Sequence, residues 1–119
     1  MKLLPSAACL FALLSASPAL AHSFLVKAAP GVGSTVSTPP TSLLMTYTEG
    51  LEVPFCGVTV ADASGATVQK GKPQAVPGHS DEMSVPLNIT RPGTFTVAWH
   101  AVSVDTHHTQ GSFRFTVSQ

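Results

Sequence analysis

Large apolar side chains in the second half of the chain fall at every other position. In Phe95-Thr96-Val97-Ala98-Trp99 they alternate with small or polar residues, and Phe113, Phe115 and Val117 do the same against Arg114 and Thr116. Successive side chains of an extended strand point to opposite faces, so each run predicts a strand with one face on a core. These two strands are expected over residues 94–104 and 112–118, with others over 23–28, 42–48, 56–63 and 83–89 and a short one near 66–69. Pro30-Gly31, Pro39-Pro40, Ser64-Gly65, Pro77-Gly78 and Arg91-Pro92-Gly93 lie between the runs as turn signals. No stretch after residue 21 carries a helical period. About seven short strands in a chain of this size predict an all-β Greek-key sandwich or small barrel.

The first residues follow another rule. Lys2 is a short basic start, residues 10–14 (Leu-Phe-Ala-Leu-Leu) form an apolar run, and Ala19 and Ala21 are the small residues of a signal-peptidase site. Ser15, Ser17 and Pro18 interrupt the run well short of the ~20 residues that span a bilayer. Residues 1–21 therefore read as a cleaved signal peptide, and residues 22–119 as one exported domain with a single core. The six Lys/Arg and six Asp/Glu of the full chain balance, and loss of Lys2 leaves a net charge of minus one. With no basic stripe, nucleic acid is not an expected partner. Nothing in the pattern suggests an exposed apolar face, so a monomer is expected.

Cleavage after Ala21 would make His22 the first residue. Its α-amine, with an ordinary pKa of about 7.7 to 8, loses a proton more readily than a lysine, and amine and imidazole together can close a chelate ring. A second dense set of donors is Ser103-Val104-Asp105-Thr106-His107-His108. If the chain is extended there, Asp105 and His107 point the same way and His108 the other. His22, Asp105 and His107 give three nitrogens and an oxygen, a set that suits Cu(II) best, with zinc and nickel as alternatives. A second reading makes 105–111 a polar hairpin turn in which Asp105 caps backbone amides. Spacing alone does not say what would bring residue 22 to residue 107.

Other residues receive other roles. Cys9 leaves with the signal peptide, so Cys56 has no partner for a disulfide within the mature chain and is expected to be buried. Met45 and Met83 sit in predicted strands and are expected in the core. His100 should face away from Trp99, His79 should lie in a loop, and His108 is an alternative ligand to His107 or an exposed neighbour. A soft site from Cys56 and His79 is a minor alternative. No nucleophile with an adjacent base, phosphate loop or working carboxylate pair is present, which points to a binding protein rather than an enzyme.

The histidine after the cleavage site, the turn Asp62-Ala63-Ser64-Gly65, the block from Trp99 to His107 and Gly111-Ser112-Phe113-Arg114-Phe115-Thr116-Val117 together resemble the CopC family of periplasmic copper-binding proteins. Ala29-Pro30-Gly31-Val32-Gly33-Ser34 resembles the turn after that family's first strand. The resemblance implies a seven-stranded Greek-key fold of the cupredoxin-like or immunoglobulin-like kind, a Cu(II) site on His22, Asp105 and His107, and a role in copper homeostasis or resistance. It also implies delivery to an inner-membrane copper transporter or another periplasmic copper protein. Two departures bear on the site: Phe24 stands where the tightest-binding members have a second histidine, and residues 48–55 lack the methionines that hold Cu(I) in some members. The alternatives are a mononuclear copper oxidoreductase using the same terminal chelate and a metal-free immunoglobulin-like interaction module.

Overall fold

The computed structural model describes residues 24–119. Its strands are β1 (Leu25–Ala29), β2 (Thr35–Val36), β3 (Ser42–Tyr47), β4 (Gly57–Ala61), β5 (Gln74–Val76), β6 (His79–Pro86), β7 (Gly93–Val102) and β8 (His108–Val117). They form two four-stranded sheets, ordered β1-β3-β6-β5 and β2-β8-β7-β4. This is the all-β sandwich that the alternation predicts. It has one strand more than expected, because β2 and β5 are only two and three residues long and too short to show a period. The segment near 66–69 is not a strand and makes only the isolated bridges Ala61 to Thr67 and Gln69 to Leu87. His22 and residues 1–21, expected to be a signal peptide, lie outside the described residues.

The strongest pattern in the sequence becomes the longest pairing in the fold. β7 and β8 are antiparallel in unbroken register from Gly93 opposite Val117 to Val102 opposite His108. Phe95, Val97, Trp99, Phe113, Phe115 and Val117 all turn inward and are buried. Phe95 and Phe115, directly opposite, stack with ring centroids 5.5 Å apart. Burying one such ring contributes about 1.5–3 kcal/mol, so this pair is a main anchor of its sheet.

The facing sheet supplies Leu43, Met45 and Tyr47 from β3 and Met83 and Val85 from β6. Met45 and Met83 are register partners, both fully buried, so their thioethers pack in the core as expected. Tyr47 meets Trp99 edge-on at 5.2 Å across the sandwich. Gly111, opposite Trp99, has no side chain because the indole lies over it: a Cβ there would come 2.7 Å from Trp99 Cζ2.

Candidate metal centre

Strand β7 ends at Val102 rather than at residue 104, and residues 103–107 form a five-residue connection to β8. The extended geometry expected for Asp105 and His107 is therefore replaced by a turn. The Thr106 N–H donates to the Ser103 carbonyl at 2.8 Å, and the Ser103 N–H to the His107 carbonyl at 3.0 Å. Between them Thr106 takes a left-handed backbone with φ of 70°. The chain thus folds over itself, and the two predicted ligands meet by turning rather than by sharing a strand face. Asp105 Oδ2 lies 3.0 Å from His107 Nδ1.

Ser103 holds this arrangement from beneath. It continues the inward phase of Val97, Trp99 and Ala101, and it is fully buried. Its hydroxyl donates to Asp105 Oδ1. That oxygen also receives a long hydrogen bond from the His107 N–H at 3.4 Å, so Asp105 does cap the local backbone as the hairpin reading has it. The Ser103 hydroxyl first and His107 second hold the Asp105 carboxyl at about 2, below its usual value of 3.8. The carboxylate is charged at any physiological pH and available as an anionic donor.

The turn is pinned to the connection between β3 and β4. Val104 N–H donates to Gly50 O at 3.0 Å, Glu52 N–H to Val102 O at 2.8 Å, and Leu51 bridges Ser103. Gly50 follows β3 by three residues. Just after the end of β3, Thr48 exchanges two hydrogen bonds of 2.9 Å with Phe24: its Oγ1 accepts from the Phe24 N–H, and its own N–H donates to Phe24 O. Phe24, two residues after His22, is thereby joined through Thr48 and Gly50 to the rim that carries Asp105 and His107.

For imidazole nitrogen and carboxylate oxygen at about 2.0–2.2 Å from an ion, two donors at a right angle lie roughly 3 Å apart. The Asp105–His107 separation matches that spacing. It also matches a carboxylate that orients a histidine whose other nitrogen takes the metal. Among the described residues no third His, Cys, Asp or Glu side chain joins this pair within ligand reach.

The remaining candidates go elsewhere. His108 is exposed and begins β8, paired with Val102. His100 faces away from Trp99 as expected, and its ring lies over Gly57. Cys56 is only partly buried, a departure from the expectation of a fully buried thiol. Its Sγ accepts from Val102 N–H at 3.4 Å and lies 3.5 Å from Glu52 O, to which the thiol can donate. Burial pushes the thiol's pKa up, which disfavours the thiolate that a soft metal needs. His79 is the first residue of β6, not a loop residue, and its near neighbours are Asp81 and Glu82, with no cysteine in the group.

The CopC domain model matches residues 25–118, nearly the whole described chain. The chain belongs to the CopC family. It is similar to protein YobA of Escherichia coli K12, with 31% identity over 98 residues, 82% of this chain and 79% of that one. Among solved structures, CopC of Methylosinus trichosporium OB3b superposes with a TM-score of 0.76 at 25% identity, covering 82% of this chain and 94% of that one. PcoC, a methionine-rich copper resistance protein from Escherichia coli, superposes with a TM-score of 0.69 at 30% identity, covering 82% and 100%. This CopC-family chain has three methionines in all, Met1 included, so it does not share that richness.

The sequence pattern singled out Asp105 and His107 but not Ser103. The signal for Ser103 was present, since a hydroxyl in the inward phase of a core strand needs a partner.

Proposed function

We propose that this protein binds Cu(II) in the periplasm through the α-amine and imidazole of His22, exposed by cleavage after Ala21, together with Asp105 and His107. It carries or sequesters the ion for copper homeostasis and resistance, passing it to an inner-membrane transporter or another periplasmic copper protein. The observation that carries this reading is the 3.0 Å pairing of Asp105 and His107 on a rim that lacks a third donor among the described residues. The third ligand in this reading is His22, two residues before Phe24, whose paired hydrogen bonds with Thr48 hold it near the segment that leads to Gly50. Membership in a family that includes a copper resistance protein supports copper as the cargo. With Phe24 in place of a second terminal histidine, binding is weaker than in relatives that have one.

The test is a Cu(II) titration of the chain beginning at His22 against one carrying a single extra residue ahead of it. Loss of affinity in the extended chain is expected, because the amine becomes an amide and the chelate ring opens. Equal affinity removes the terminal amine from the site.

A further inference from the structure

A second group of metal-ligating side chains lies outside the centre described above. His79, Asp81 and Glu82 place one ligand atom each within 4.8 Å of one another at the start of β6. Pro77 and Gly78 turn the β5–β6 hairpin tightly enough for Val76 to pair with His79, and the register shifts between Ala75 and Val76. Such irregularities twist a strand end and re-aim its side chains.

We infer that His79, Asp81 and Glu82 form a second site for a divalent cation of the zinc or Cu(II) kind. Glu82 is already placed as a ligand would be. Its side chain is only 13% exposed, Thr46 Oγ1 donates to Oε2 at 2.8 Å, and Oε1 is left 3.2 Å from His79 Nδ1. Donors bound to one ion at about 2.0–2.2 Å sit roughly 3.0–3.4 Å apart in right-angled or tetrahedral arrangements, and the His79–Glu82 separation falls within that range.

Among the described residues the ion-pair partner of Glu82 is His79; Lys27, across β3 from it, makes no such pair. One imidazole nitrogen and two carboxylate oxygens match borderline to hard divalent ions, with water completing the shell, and not Cu(I), which prefers sulfur.

Its location gives the site a relation to the first centre. Ser80, between His79 and Asp81, accepts from the Leu51 N–H at 2.8 Å. Gly50 lies between Ser80 and Val104: a Cβ on it would be 3.5 Å from Ser80 Oγ and 3.3 Å from Val104 Cγ1. The two candidate centres therefore flank one turn on the same rim. The second binds its ion without His22 and stands whether or not the terminal chelate does.

Zinc titration of the chain beginning at His22 and carrying Asp105→Ala and His107→Ala tests this, followed by calorimetry and backbone amide NMR. One equivalent of Zn(II) should still bind, shifting the amides of residues 79–82 and Thr46, and adding His79→Ala should weaken it roughly 10-fold or more. His79 is exposed, so its loss should leave the thermal transition in place; Asp81→Asn serves as a second variant. Absence of Zn(II) binding in the Asp105/His107 variant, or binding indifferent to both His79→Ala and Asp81→Asn, overturns the site.

Discussion

The hydroxyl of Ser103, buried at the end of β7, donates to Oδ1 of Asp105, and the same carboxylate turns its Oδ2 to His107. One side chain of the core thereby fixes the direction of a carboxylate on the rim. The packing of β7 and the geometry of the candidate centre are mechanically linked, because Ser103 follows Trp99 and Ala101 on the inward face.

Ser103→Ala should weaken Cu(II) binding by about 10-fold, the usual scale for losing a group that orients a metal ligand. In the metal-free protein the Asp105 carboxyl should titrate at a higher pH, since its largest stabilising contact is gone. Both follow from one substitution and are read by copper titration and carboxyl NMR. Unchanged titration of Asp105 would mean that the hydroxyl does not hold it.

Acid should destabilise the metal-free fold through the same residue. The folded value of about 2 lies below the unfolded value near 3.8, so the folded state binds fewer protons. The contribution of Asp105 is complete above pH ~4 and disappears as pH falls from about 4 to 2. Asp62, lowered chiefly by the Ser64 hydroxyl, acts in the same direction and remains as a background. Urea unfolding at a series of pH values should show wild type and Asp105→Asn converging below pH ~4. A gap that stays constant down to pH 2 would show that Asp105 has no lowered pKa in the fold.

Where a rule acts over many residues, the sequence pattern predicts the structure well. Alternation over β7 and β8 is sustained across ten paired positions, and burial of a whole face leaves little choice of register. β2 and β5 follow no such rule, because pairing with neighbours, not periodicity, makes them strands. The centre divides in the same way. Asp105 and His107 are recognisable by their chemistry, yet they meet through the left-handed turn at Thr106, a residue type that rarely announces that conformation. Glu82 and His79 lie three residues apart on one strand, where the register with β5 shifts between them, and Thr46 joins Glu82 from a strand more than thirty residues earlier.

Tyr47 offers a test of the core beneath the rim. It is 2% exposed, and its hydroxyl has no hydrogen-bond partner among the described residues. Burial accordingly drives its phenol well above the ordinary value. Leaving such a group unsatisfied costs about 1–3 kcal/mol, so Tyr47→Phe should stabilise the fold by roughly 1 kcal/mol while keeping the edge-on contact with Trp99. Denaturant unfolding with Trp99 fluorescence reads this directly. A loss of stability instead would reveal a buried water or other partner for the hydroxyl.

Asp105→Asn distinguishes the two roles that the 3.0 Å contact with His107 allows. The amide oxygen can still accept a hydrogen bond from a protonated Nδ1, so an orienting role would largely survive. The amide is neutral and a far poorer donor to Cu(II), so a ligand role would not. With Asp105 as a ligand, Asp105→Asn should bind Cu(II) at least about 10-fold more weakly, and the copper EPR spectrum should change as an anionic oxygen leaves the coordination sphere. Restoring the carboxylate one methylene further out, in Asp105→Glu, should recover part of the affinity and a wild-type-like spectrum. An unaltered spectrum in Asp105→Asn would instead assign Asp105 to orienting His107, with the metal on the opposite ring nitrogen.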